Sequence, residues 1–275
     1  MQHNLFSSDK FSFFSLGSGS CGNCYYLGNS HYGMLIDAGL GPRIIKKRLG
    51  DHGIDFSSIY ALLVTHDHYD HIKSAGYLSE KLNIPVYATE KVHRGIRNCP
   101  LVKNTINGAT KRIIEKGESF QIEDFRITAF DVPHDSSDNA GYFFEFGNHK
   151  LTLATDIGAI TDDVAYYAGK ANHLVIESNY DEKMLLNGRY PHFLKQRISN
   201  GTGHLSNRQT AEFLANNCSS HLRNIWLCHL SGDNNSPDLA YETVKNELVG
   251  KGIEVGVNIN LGVFRRNVLS SKIEF

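Results

Sequence analysis

Three histidines and two aspartates crowd into six positions of this chain, in Thr65-His66-Asp67-His68-Tyr69-Asp70-His71. Imidazoles and carboxylates bind transition-metal dications, and imidazoles also move protons near neutral pH. His66 and His68 stand two apart, so an extended backbone turns both to one side. Asp70 and His71 follow where the chain bends toward a helix, and they face a neighbouring point. One short loop can therefore offer two ligands to each of two metal ions. The mixed donor set suits zinc, manganese or iron better than calcium. A solvated polar loop with Asp70 as a helix cap would use the same residue types, but it has no need of the spacing H-x-H-x-D-H. Asp67 reads as a solvated neighbour.

Such a loop must be held by something rigid. The apolar run Ala61-Leu62-Leu63-Val64 directly before it reads as a buried strand, and strand ends are where a scaffold presents ligands. Further strands are expected at 11–16, 24–28 and 32–37, separated by glycine turns. Helices are expected at 42–49, with Pro42 in the first turn and Gly50 after it, and at 71–82. A strand at Val86 and a helix after Thr89 lead into a β-rich stretch, 112–145. Residues 151–154, 174–176 and 225–228 read as buried strands. Ser206 and Gln209 form a capping box that opens a helix. Ser236-Pro237 opens another that runs to Gly250, and a weaker strand is expected to end near Val257. Strand hairpins followed by alternating strands and helices, twice over, give an α/β fold. The expected form is a four-layer αββα sandwich, with residues 1–275 as a single domain.

Composition narrows the function. The net charge of −1 produces no global field toward nucleic acid or membrane. No apolar run reaches the ~18 residues of a membrane span. Residues 1–14 contain Asp9 and no continuous apolar stretch, so no signal peptide is expected. The five scattered cysteines then read as reduced thiols in the cytoplasm. Cys21 and Cys24 form one C-x-x-C with no second pair, so they read as small residues of a turn and strand. The neutral total conceals segregated signs. Residues 91–114 hold six Lys/Arg and no acid, and residues 183–211 hold five and no acid. Basic segments beside a bimetal site suit a polynucleotide backbone. Arg189, Lys195 and Arg197 are the expected contacts, since they approach His204 in sequence.

The histidine-rich segment resembles the signature of the metallo-β-lactamase superfamily, and four further segments match it in chain order. These are Leu35-Ile36-Asp37-Ala38-Gly39, Val132-Pro133-His134-Asp135, Leu153-Ala154-Thr155-Asp156-Ile157-Gly158 and Trp226-Leu227-Cys228-His229. The resemblance implies a metallo-β-lactamase fold in which His66, His68 and His134 hold one divalent ion. Asp70, His71 and His229 hold a second, Asp156 bridges them, and Asp37 orients a ligand imidazole. Taken singly, His134 and His229 would read as ordinary structural histidines.

Ser18-Gly19-Ser20-Cys21-Gly22-Asn23-Cys24-Tyr25, Glu177-Ser178-Asn179-Tyr180, the stretch 188–198 and Gly203-His204-Leu205-Ser206-Asn207 resemble the YycJ/WalJ (VicX) branch. Cys21 departs from the serine expected there. The branch implies a small bacterial metal-dependent hydrolase with 5′-to-3′ DNA exonuclease activity. Its expected nucleophile is a hydroxide shared by two divalent ions, zinc or manganese, with iron also suited. The pattern of Glu177, glycine-His204 and His229 is similar to tRNase Z, which points to His204 as a proton donor. Asp70 would accept a proton from the nucleophile. No β-CASP insertion fits between Asp156 and His229. Two rival readings share the residues: a thioester or lactone hydrolase on the same scaffold, and a non-catalytic regulatory DNA-binding module. A long basic cleft favours a polynucleotide, and a small closed one favours an ester. No membrane partner is expected.

Overall fold

The structure, a computed structural model, describes residues 10–275. The expectation of no signal peptide therefore falls largely outside the described residues. One seven-stranded sheet contains β1 (Ser12–Gly17), β2 (Cys24–Gly28), β3 (Gly33–Ile36), β4 (Ile59–Leu63), β5 (Val86–Ala88) and β6 (Lys111–Ile113). Its seventh strand, β14 (Ile273–Glu274), pairs antiparallel with β1. The second seven-stranded sheet contains β7 (Ser119–Ile122), β8 (Phe125–Asp131), β9 (Ala140–Phe146), β10 (His149–Ala154), β11 (His173–Glu177), β12 (Asn224–Cys228) and β13 (Asn260–Val263). Beside the first sheet run α1 (Pro42–Asp51), α2 (Tyr69–Ile72), α3 (Ala75–Leu82) and α4 (Glu90–Asn98). The second half adds α5 (Asp162–Lys170), α6 (Glu182–Asn187), α7 (His192–Ser199), α8 (Asn207–Asn217) and α9 (Pro237–Gly250).

Strand alternation sorts the buried side chains into three apolar layers. Phe13, Tyr25, Leu27, Met34, Ile36, Ala61 and Leu63 meet Ile127, Tyr142, Phe144, Leu151 and Leu153 between the sheets. The opposite faces of the same strands, with Phe14, Tyr26, Leu35 and Leu62, pack under Ile45, Leu78 and Val92 of the helices. Ala154, Ile176 and Leu227 of the second sheet pack under Val164, Leu214 and Val244. Three cores between four layers make the expected αββα sandwich.

The layers bring five chain segments to one edge. β3 runs parallel to β4, with Ile36 opposite Leu63. In the other sheet β10, β11 and β12 are parallel, with Ala154 opposite Ile176 and Glu177 opposite Cys228. All five strands therefore end together, and ligand sites in such sheets lie beyond the carboxyl ends.

Two expected elements differ. The helix expected at 71–82 is broken into α2 and α3 at Ser74, whose hydroxyl is taken by the Leu40 carbonyl. No strand ends at Val257. That residue is 76% exposed in a turn, and the strand follows at Asn260–Val263 beside β12.

Candidate metal centre

Three of these strand ends turn a side chain inward by a local distortion. Asp37, Asp156 and His229 follow β3, β10 and β12, and their φ values are 61°, 56° and 52°. Non-glycine residues pay for this left-handed conformation, and they persist in it only where the surroundings fix them. Thr65 helps to do so. Its amide donates to Asp37 Oδ1 at 2.8 Å and its hydroxyl to Oδ2 at 2.9 Å.

The side chains converge in two groups of three. Donor atoms of His66, His68 and His134 lie within 4.8 Å of one another, and so do those of Asp70, His71 and His229. Asp156 stands between the groups. Its Oδ2 is 2.7 Å from His229 Nδ1 and 3.3 Å from His71 Nε2, while Oδ1 is 3.7 Å from His134 Nε2. His134 Nδ1 donates to the Gly203 carbonyl at 2.9 Å, which leaves Nε2 as a lone pair 3.2 Å from His68 Nδ1. His71 Nδ1 donates to Asp37 Oδ2 at 2.7 Å, so its lone pair also faces the centre. A carboxylate behind a ligand imidazole fixes its tautomer and raises its basicity.

The donor set fits divalent cations. His66 Nε2 is buried with no hydrogen-bond partner, which is costly unless something else uses that lone pair. Burial, then the neighbouring His71, holds the His66 pKa well below its usual value. Burial also acts against a charge on His71, but Asp156, Asp37 and Asp70 outweigh it and raise its pKa well above normal. The carboxylates that would favour a proton there would equally favour a metal ion. Burial opposes ionisation of Asp156, yet His229 and His71 keep its pKa well below the usual range.

Glu177 is fully buried at the end of β11. Its Oε2 accepts from the amides of Ile157 and Leu205, and its Oε1 from His204 Nδ1. His204 lines a cavity of about 410 Å³ together with His68, Asp70, His134, Asp156 and His229.

Other expected residues fall differently. Arg197 of α7 lines the cavity and donates through Nε to Asp135. Lys195 Nζ donates to the Leu186 carbonyl at 2.6 Å, clamping α6 to α7. Arg189 is exposed, and neither it nor Lys195 lines the cavity. Asp67 is half-buried rather than a solvated neighbour, and accepts from the amide and hydroxyl of Ser137. Cys21 is exposed, Cys24 is buried in β2, and all five cysteines are free.

Two contributors were not singled out in the sequence. Asn23 Nδ2 lies 2.8 Å from His71 Nε2 and 3.2 Å from Asp70 Oδ2, tying the glycine turn to the ligand loop. Asp135 Oδ1 lies 3.5 Å from His134 Nε2 while Oδ2 holds Arg197. Both stand inside segments that carried the resemblance, which was their only signal.

A family model described as a beta-lactamase superfamily domain matches residues 32–222. The chain belongs to this superfamily. It is 37% identical over 241 residues to exodeoxyribonuclease YycJ of Bacillus anthracis, covering 88% of this chain and 90% of the relative. It is 34% identical over 251 residues to exodeoxyribonuclease WalJ of Streptococcus pneumoniae, covering 91% and 93%. The branch expected from the sequence is thus borne out. Among solved structures it is similar to the metallo-β-lactamase fold protein YhfI of Bacillus subtilis. That match has a TM-score of 0.72 and 15% identity, over 98% of this chain and 100% of the other. The superfamily fold implies divalent-metal binding, and the hydrolase class expected from the sequence stands with that membership. No helix among the described residues is long and apolar enough to cross a membrane.

Proposed function

We propose that the chain, acting as one metallo-β-lactamase-type domain without a β-CASP insertion, hydrolyses phosphodiester bonds of DNA from the 5′ end. The observation that carries this reading is one cavity lined by members of both ligand groups, by the Asp156 carboxylate between them and by His204, which Glu177 holds from behind. The names of the YycJ and WalJ relatives support a DNA substrate.

His66, His68 and His134 would hold one cation, and Asp70, His71 and His229 the other, with Asp156 common to both. When bound, such a pair supplies an acidified water and neutralises charge that grows on phosphoryl oxygens. Zinc or manganese suits the donors, and iron is chemically acceptable. Asp70 accepts the proton that the attacking water loses. His204 gives a proton to the departing 3′ oxygen, which would otherwise leave as a costly alkoxide. Glu177 holds the His204 ring for that transfer. Arg197, fixed by Asp135 at the cavity wall, adds positive charge for the phosphate backbone.

Charge outside the cavity supports a polymeric substrate over a small ester. Lys91 and Arg94 of α4 line a second groove with Asp67 and Ser137, beside the ligand loop. Lys91, Arg94 and Arg97 are exposed, and none has an ion-pair partner among the described residues. Free cysteines suit the reducing cytoplasm.

The test is digestion of end-labelled duplex DNA, single-stranded DNA and RNA with manganese, zinc or chelator. Mononucleotide release from the 5′ end of DNA, stopped by chelator, is expected. Metal-loaded protein that leaves every polynucleotide intact and turns over a thioester or lactone would replace this reading.

A further inference from the structure

Arg266 follows β13 and stands behind Ser20, a residue of the cavity wall. Two glycines make room for it. A Cβ on Gly232 would fall 1.4 Å from its Nη1, and one on Gly19 would fall 2.9 Å from its Cγ. The guanidinium Nη2 lies 3.4 Å from Ser20 Oγ and 3.0 Å from Cys21 Sγ. Its Nε is buried with no hydrogen-bond partner. No carboxylate pairs with it among the described residues. Asp233, next to Gly232 in the chain, instead accepts from the Tyr190 hydroxyl at 2.7 Å. Ser20 and Ser231, next to those two glycines in the chain, both line the metal cavity.

A planar guanidinium with no carboxylate partner, beside the Ser20 hydroxyl, is an anion site, and its fork matches phosphate oxygens. Joined to the metal cavity through Ser20, it would take a phosphate of the same strand as the one being cut. We propose that Arg266, with Ser20 and Ser231, binds the phosphate adjacent to the scissile one, which at a strand end is the 5′-terminal phosphate. A terminal phosphate carries close to two negative charges, so it gains more from the guanidinium than a diester does. This rests on the nuclease reading and adds to it a reason for cutting from an end.

The test compares 5′-phosphorylated and 5′-hydroxyl oligodeoxynucleotides of one sequence. Wild type is expected to favour the phosphorylated end by on the order of tenfold, the scale of a charge-assisted hydrogen bond. Arg266→Ala should bring that ratio near one, and Arg266→Lys should fall between. Gly232→Ala keeps the arginine but fills its place, and should behave as Arg266→Ala. Bis(4-nitrophenyl) phosphate has no adjacent phosphate, so its hydrolysis should be unchanged in all three. Fluorescence anisotropy in chelator should show the same loss of preference in binding. Equal losses on both DNA ends leave that ratio unchanged and would overturn the assignment to a terminal phosphate. An unchanged ratio in Arg266→Ala, or a matching fall on the small diester, would overturn the proposal while DNA cleavage stands. Failure of wild type to cut any DNA would instead remove the reading beneath it.

Discussion

Glu177 receives a 2.8 Å hydrogen bond from His204 Nδ1, and its other oxygen is locked by the amides of Ile157 and Leu205. A carboxylate bound on both oxygens cannot rotate away, so the imidazole is held with Nε2 available to the cavity. Burial pulls the His204 pKa down, but Glu177, then Asp156 and Asp135, raise it to about 9. The ring is therefore protonated at neutral pH, as a proton donor must be. Cations in the ligand groups act in the opposite sense, so the alkaline limb of activity is expected below that value. Glu177→Gln removes the main raising charge and should move this limb to lower pH. His204→Ala should lower kcat by about 10²–10⁴-fold with metal content intact. Metal analysis alongside the pH–rate profile checks both, and loss of metal in His204→Ala would make the residue a ligand instead.

The legible part of this molecule was local. Residues 66–71 declare themselves because four ligand candidates sit within one loop after an apolar strand. His134, Asp156 and His229 are each alone in sequence and gain meaning only as an ordered set. The left-handed turns at Asp37, Asp156 and His229 have no sequence mark, since the fold imposes them against local preference. The stretch 188–198, which covers most of α7, carries no helix expectation, and neither do residues 182–187 of α6. α7 buries no residue fully, so it lacks the apolar stripe that reveals most helices. Arg266 belongs to no motif, and its role depends on glycines at 19 and 232 that only the fold brings to it.

Asp37 acts on metal binding through His71. Asp37→Asn keeps a side chain that tolerates the left-handed backbone while removing the charge behind the imidazole. Affinity for the second cation should fall by about 10–100-fold. Chelator-competition titration measures this, and an unchanged affinity would reduce Asp37 to a scaffold residue.

Cations that bind only the folded state stabilise it by mass action. Stripping them leaves Asp37, Asp70 and Asp156 crowded together without the cations that offset their charge. Chelator should lower Tm by roughly 5–8 °C, reversed by zinc or manganese. Asp156→Asn, which can hold the φ of 56°, should lose both this response and hydrolysis. Calorimetry with and without metal decides it.

His173 supplies a pH dependence away from the centre. It is buried, Asn224 Nδ2 donates to its Nδ1 at 2.8 Å, and its Nε2 lies 3.1 Å from His149 Nδ1. Burial, then His149, lowers its pKa to about 4. Between about 4 and 6.5 the unfolded chain binds the extra proton and the folded chain does not. Stability is thus complete above about 6.5 and is lost as pH falls toward 4, by up to about 3 kcal/mol. His173→Gln should flatten this slope relative to wild type. Denaturant titrations in chelator at about pH 5 and 7 measure the difference.

Gly39 shows how tightly the ligand loop is seated. A Cβ there would lie 1.6 Å from the Asp70 carbonyl oxygen and 2.7 Å from the Asn23 amide nitrogen. Both are backbone atoms, joined to each other by a 2.8 Å hydrogen bond, so neither can yield as a flexible side chain would. Gly39→Ala must push Asp70 and His71 off the second ligand group. It should cost about 3 kcal/mol and remove the metal response together. Gly50, inside α1, has nothing within 4 Å of its added Cβ, and Gly50→Ala should stabilise by about 0.4–1 kcal/mol through the unfolded chain. Opposite signs from one chemical change, read by denaturation and metal stoichiometry, would trace the Gly39 effect to its contact with the ligand loop.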